Sequence, residues 1–241
     1  MRDLHLHPPV TMSHVSRRAP WLLPVVAAIF VALAIGAVAG WLFWDAHITA
    51  WVVEQRSHGP NAIFRRISFL GSTRVIIVVS TVTALVAWRR CPRLALAIVV
   101  IALARPLAEF ALKELISRPR PAGDRMVNGE GYSFPSGHPL ATAASWGLIP
   151  LVVGLYTRRR ALWWSVAAAV WALAVAVAAS RVWLGVHWTS DVVAGLLLAV
   201  LGVAAAERFI AATHGPCRSE RAEADRVDPE VVDRPVLEAT S

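Results

Sequence analysis

Three stretches of this chain run without a charged residue for long enough to cross a lipid bilayer: Trp21 to Trp44, Pro139 to Thr157 and Ala161 to Ser180. A spanning helix needs roughly 20 predominantly apolar residues, because about 30 Å of hydrocarbon must be crossed at about 1.5 Å per residue. No water is available there to pair with amides, so each such segment must satisfy its own backbone as a helix. Three weaker segments join them. Val75 to Trp88 is short but extends back through Phe69, with Arg74 snorkelling to the interface; Leu94 to Leu112 carries Arg105 and Glu109; Val192 to Ala206 ends at Glu207. The expected fold is therefore all-α: a polytopic membrane protein built as a six-transmembrane-helix bundle.

Composition supports this reading. The chain is 56% hydrophobic and only 17% charged, too few groups to cover a soluble domain, which excludes a simple cytosolic enzyme. The net charge of +8 suits a membrane in this apolar background, and nucleic acid is not expected as a partner. Cys91 and Cys217 are isolated, with neither metal-ligand spacing nor the pattern of a disulfide framework. The first apolar run could be a signal peptide, since Ala37, Val38 and Ala39 resemble a cleavage site. It exceeds the typical 7 to 15 residues, however, so retention as a first helix is expected.

Orientation follows from Arg in the short loops. Arg17 and Arg18, then Arg89, Arg90 and Arg93, then Arg158, Arg159 and Arg160 all fall on one side, which should be cytoplasmic together with both termini. Arg56, Arg65 and Arg66 in the opposing loop weaken the bias without reversing it. The outer loops are then Asp45 to Arg74, Lys113 to His138 and Arg181 to Asp191. Residues 1–16 read as a flexible segment, 17–213 as the membrane domain, and 214–241, rich in Pro, Glu, Asp and Arg, as a disordered cytoplasmic tail.

On the outer side the chain changes character. It reads KELISRPRP from Lys113, YSFPSGH from Tyr132 and SRVWLGVHWTSD from Ser180. Ionisable groups at the membrane boundary are costly, about 2.5 to 3.5 kcal/mol each at a helix centre, so a cluster of them marks a functional site. Lys113, Arg120 and Arg181 bring three cations to one face, and a polyanion such as phosphate would relieve their repulsion. Arg supplies forked donors and Lys a compact point charge; Lys113 is the only lysine among 24 basic residues. Ser136, Gly137 and His138 precede a helix whose free amides would face an anion. His187 and Asp191 are four apart, which on a helix places a carboxylate where it can fix the imidazole tautomer and leave the other nitrogen nucleophilic. Two histidines and a carboxylate could also hold a metal, but three nearby cations would repel a divalent ion.

These segments resemble the tripartite signature of the type 2 phosphatidic acid phosphatase superfamily, K-x6-R-P, P-S-G-H and S-R-x5-H-x3-D. Here these are Lys113, Arg120 and Pro121; Pro135, Ser136, Gly137 and His138; and Ser180, Arg181, His187 and Asp191. The resemblance covers residues 113–191. It implies a metal-independent and cofactor-free phosphatase with its active site at the outer membrane face. In it His187 attacks phosphorus, Asp191 orients and charge-balances His187, and His138 protonates the leaving oxygen. Lys113, Arg120, Ser136, Gly137 and Arg181 bind the phosphate. The partners are membrane lipids, with a lipid phosphate entering from the bilayer: undecaprenyl diphosphate, phosphatidic acid or phosphatidylglycerophosphate. The pattern does not speak to oligomeric state. Other readings are a vanadium-haloperoxidase-like enzyme, whose relatives are generally soluble, and a transporter or non-catalytic binding protein, which would favour polar groups near the midplane. Arg118 and Pro119 duplicate the Arg-Pro pair, and the spacing from Lys113 selects Arg120 and Pro121. Arg105, Glu109 and Lys113 recur every four residues, so Glu109 is expected to be a structural partner of Lys113.

Overall fold

The computed structural model describes residues 20–56, 58–123, 125–157 and 159–212. Residues 1–16 and 214–241, together with Arg17, Arg18 and Arg158 of the basic clusters, lie outside the described residues. All regular structure among the described residues is helical: α1 (Leu22–Ala39), α2 (Trp44–Glu54), α3 (His58–Leu70), α4 (Thr73–Trp88), α5 (Pro92–Ile116), α6 (Gly137–Trp146), α7 (Ile149–Tyr156), α8 (Arg160–Trp183) and α9 (Thr189–Ala212). Five units are long and apolar enough to span: α1, α5, α6 with α7, α8 and α9. Pro60–Leu70 of α3 and α4, bent by 43° at their junction, are together long and apolar enough to count as a sixth if they cross as one unit.

Local chemistry sets several of these limits. A left-handed glycine, Gly40 at φ 73°, ends α1, and its N–H reaches the Gly36 carbonyl. Pro92 opens α5 where its missing N–H costs nothing, and Ser117 closes it in a left-handed conformation at φ 49°. Between α1 and α4 the chain adds α2 and the first part of α3, which the apolar runs did not foretell.

The bundle is organised around α6. Its span is 67% buried, against 11% for α1, and Leu140, Ala141, Thr142, Ala143, Ala144 and Ser145 are all covered. Lipid tails offer no hydrophobic advantage over a neighbouring helix, so association relies on close packing of small residues. Accordingly α4, α5, α8 and α9 all pack on α6. One close approach is at Gly195 of α9, where a Cβ would stand 2.6 Å from the Ser136 carbonyl oxygen. Only a residue without a side chain permits that separation. The outlying α1 docks through Phe30, Leu33, Ala34 and Ala37 against Ile116, Phe134 and Ala194.

Two spans depart from the continuous runs expected. The fourth breaks at Gly147, where a Cβ would meet the Ala143 carbonyl at 2.3 Å. The second is an elbow: Gly71, between α3 and α4, sits so tightly that a Cβ would lie 2.7 Å from Val177 Cγ1 and 3.3 Å from His138 Cβ. Cys91, buried at the start of α5, is disulfide-bonded, a correction to the expectation from isolated cysteines; Cys217 lies outside the described residues.

Candidate active site

One end of the bundle gathers the last turns of α5 and α8, the first turns of α6 and α9, helices α2 and α3, and the irregular segment 117–136. Lys113 and Arg181 stand in final turns, Asp191 in a first turn. The three segments singled out in the sequence therefore meet.

His187 is 3% exposed, between α8 and α9. Its Nδ1 lies 2.9 Å from the Ser133 carbonyl oxygen and 3.5 Å from Asp191 Oδ2, and its Nε2 lies 3.1 Å from Arg120 Nη1. A carbonyl can only accept, so the proton belongs on Nδ1, and Nε2 turns a lone pair towards the arginines. The sequence-based expectation gave the task of fixing the tautomer to Asp191 alone; the nearer acceptor is the Ser133 backbone. Burial pushes the His187 pKa down to about 4, with Asp191 opposing the shift and Arg120 and Arg181 adding to it. The imidazole is neutral at physiological pH.

Asp191 is fully buried and its two oxygens are divided. Oδ2 accepts from the Trp188 N–H at 3.0 Å, while Oδ1 accepts from Arg118 Nη1 at 2.6 Å. Ser136, which starts α6, donates its N–H to the Asp191 carbonyl oxygen at 3.0 Å, tying two motifs through backbone.

Arg120 is held by carbonyls. Nε donates to Gly131 at 3.0 Å, Nη2 to Glu130 and Tyr132 at 2.8 and 3.2 Å, and Nη1 to Val186 at 2.7 Å, which aims Nη1 at His187. Its pKa is lowered, first by burial, with Asp191 opposing and Arg125 adding to the fall. Arg181 is buried, donates from Nη1 to Ser68 Oγ on α3 at 2.6 Å, and has no carboxylate partner among the described residues. Its Nε and the Ser136 hydroxyl are both buried without hydrogen-bond partners among those residues. His138, on the first turn of α6, feels Arg181, His187 and Lys113 electrostatically.

Glu109 bridges Arg105 at 3.0 Å and Lys113 at 2.7 Å, the ladder expected along α5. It also abuts Gly137 so closely that a Cβ there would stand 2.1 Å from Oε1. Gly137 was expected among the phosphate-binding residues; what its missing side chain visibly admits is this carboxylate.

All eight expected residues, Lys113, Arg120, Ser136, Gly137, His138, Arg181, His187 and Asp191, are brought to this end. Sequence reasoning missed Asp45, Ser68, Arg118 and Ser133. Only Arg118 gave a signal, as the first half of the repeated Arg-Pro pair, and spacing set it aside. Asp45 and Ser68 become visible only once α2 and α3 fold over the site.

The structure is thus a helical membrane bundle with a buried neutral imidazole, a buried carboxylate 3.5 Å from it and three cations gathered at one end. The family model described as the PAP2 superfamily matches residues 93–213, and the chain belongs to that superfamily. Among curated relatives it is similar to phosphatidylglycerophosphatase B of Bacillus subtilis (strain 168), with 33% identity over 99 residues, 39% of this chain and 47% of that protein. It is also similar to phosphatidylglycerophosphatase B of Escherichia coli (strain K12), with 42% identity over 87 residues, 36% of this chain and 32% of that protein. The matches thus span less than half the length of those relatives. The fold is that of the crystal structure of the first transmembrane PAP2 type phosphatidylglycerolphosphate phosphatase from Bacillus subtilis, with a TM-score of 0.73, 24% identity and coverage of 80% of this chain and 98% of that one. Aquifex aeolicus LpxE is more distant, with a TM-score of 0.55, 17% identity and coverage of 68% and 94%.

Proposed function

We propose that the chain is an integral membrane phosphatase that hydrolyses a lipid phosphate through a phosphohistidine, without a metal. The observation that carries this reading is Arg181: a buried cation with an unpartnered Nε, no carboxylate partner among the described residues, and the buried unpartnered Ser136 hydroxyl at the same site. A buried charge is tolerated when something of opposite sign completes it, and a tetrahedral dianion with many acceptor oxygens suits this donor set.

The chemistry needs few parts. The Nε2 lone pair of His187 forms the N–P bond as the bond from phosphorus to the lipid oxygen breaks, and His138 gives that oxygen its proton. Water, deprotonated by His138, then attacks phosphorus and returns His187 to its neutral form with release of phosphate. Lys113, Arg120, Arg181, Ser136 and the Gly137 amide carry the charge on the equatorial oxygens, the main requirement of phosphoryl transfer. Asp191 stabilises the imidazolium character that His187 acquires.

The arginine clusters of the opposite loops support placing this end outside the cytoplasm, with a substrate that enters sideways from the bilayer. The names of the curated relatives put phosphatidylglycerophosphate first among candidate substrates, ahead of phosphatidic acid and undecaprenyl diphosphate. The test is release of inorganic phosphate from each of the three by purified protein in detergent with a chelator present. Turnover should persist with chelator and vanish in a folded His187→Ala variant; activity that requires added metal, or survives in that variant, overturns the mechanism.

A further inference from the structure

Behind His187 and Asp191 lie three buried polar groups, Asp45, Arg118 and Ser190, that the reaction itself does not use. Arg118 stands between two carboxylates. Its Nη1 donates to Asp191 Oδ1 at 2.6 Å, and its Nη2 donates to Asp45 Oδ2 at 2.8 Å. Ser190 ties the same three groups together. Its N–H donates to Asp45 Oδ1 at 3.0 Å, its hydroxyl donates to Asp45 Oδ2, and its Oγ accepts from Arg118 Nη1 at 2.6 Å. Asp45 is 1% exposed, Ser190 and Asp191 are fully covered, and Arg118 is 9% exposed with the Trp188 ring 5.4 Å from its guanidinium carbon.

Such a chain is costly to bury and is retained only if complete, since removing one member strands the others. Its parts come from three places: Asp45 from the first turn of α2, Arg118 from the segment after α5, Ser190 and Asp191 from the first turn of α9. We infer that Asp45, acting through Arg118 and Ser190, is a positioning residue that fixes the Asp191 carboxylate beside His187 and sets how much of its charge the imidazole feels. The inference rests on the proposed role of His187 as nucleophile.

The electrostatic logic is a division. Arg118 shares one positive charge between Asp45 and Asp191, so Asp191 keeps part of its negative charge for His187. Arg120, whose Nη1 stands 3.1 Å from Nε2, and Arg181 pull the other way, and His138 also interacts electrostatically with the imidazole. Replacing Asp45 by Asn leaves Arg118 undivided on Asp191, which weakens the support Asp191 gives to a positively charged His187. The transition state, in which that charge develops, should suffer while substrate binding does not.

The experiment uses full-length protein in detergent, with Asp45→Asn and Arg118→Lys against wild type and short-chain phosphatidic acid as the probe. The expected result is a fall in kcat of about 10- to 100-fold, milder than the roughly 10⁴-fold seen when a directly orienting Asp is removed, with KM within about twofold. In parallel, 15N chemical shifts of a ring-labelled His187 are followed against pH without any substrate. Asp45→Asn should move its titration to lower pH or mix its tautomers. An unchanged His187 titration and tautomer together with unchanged kcat in variants whose melting temperature matches wild type overturns the inference. A kcat loss that only follows the unfolded fraction overturns it equally. If wild type and variants release no phosphate while His187 still responds to Asp45→Asn, the positioning stands and the phosphatase reading fails.

Discussion

Arg120 Nη1 stands 3.1 Å from His187 Nε2, on the ring edge opposite the Ser133 carbonyl. The nitrogen that would attack phosphorus is thus the one against which the site has placed a fixed cation, and protonating it means adding charge to charge. The ordinary His pKa of about 6.5 is lowered here to about 4.

The sign of the resulting pH dependence is definite. The folded value lies below the unfolded one, so between about 6.5 and about 4 the unfolded chain binds more protons, and stability falls as pH falls through that window. The acid limb of kcat/KM should lie near the folded value, with activity retained at pH 5.5. A pH series of kcat/KM and melting temperature checks both; an acid limb centred near 6.5 contradicts the burial argument.

Gly137→Ala places a methyl 2.1 Å from Glu109 Oε1, so the α6 start or the carboxylate must move. The expected result is a loss of at least about tenfold in kcat/KM, in line with the sensitivity of reactive geometry to displacements of about 1 Å. Because the clash is with Glu109, the loss should shrink when Glu109→Ala is added to the same chain. A double-mutant cycle measures that coupling, and strict additivity would count against the contact.

Ser68→Ala removes the oxygen that accepts from Arg181 Nη1 at 2.6 Å. A hydrogen bond to a charged group is worth about 1.5 to 3 kcal/mol, so phosphate binding should weaken by roughly 10- to 100-fold if Arg181 loses its alignment. Product inhibition by inorganic phosphate reads this directly, and Ser68→Thr, which retains the acceptor, should restore most of the affinity.

Ala122 is exposed in the segment between α5 and α6, at the same end as the site. In intact cells, an Ala122→Cys variant should react with a membrane-impermeant maleimide, judged against the parent chain. Labelling only after the membrane is opened would invert the orientation.

The five long spans, and the bent α3–α4 pair as a candidate sixth, were legible because hydrocarbon leaves a backbone one economical solution, and apolar length reports it directly. The grouping at this end was legible for a different reason: Lys113, Arg120, Arg181, the paired histidines and Asp191 are polar residues placed where polarity is expensive. Neither signal reaches Asp45 or Ser68. Each is a single polar residue in a loop-borne helix, and its importance comes from packing on a partner more than a hundred positions away, Ser190 and Arg181 respectively. Arg118 was misjudged because spacing from Lys113 reads only the residues of the motif, whereas Arg118 meets Asp191 across the fold. The break at Gly147 escaped notice because an apolar run looks the same whether its helix is straight or interrupted.

Ser133 links two parts of the molecule, and its hydroxyl also donates to the Arg118 and Pro119 carbonyls at 3.2 and 3.1 Å. Its N–H donates to the Arg118 carbonyl at 2.8 Å, closing the segment between α5 and α6, and its own carbonyl receives His187 Nδ1 at 2.9 Å. Closure of that segment and the orientation of the His187 imidazole therefore depend on the same residue. A nick or insertion near Ser133 should therefore reach the imidazole as well as the loop, a consequence of one residue serving both.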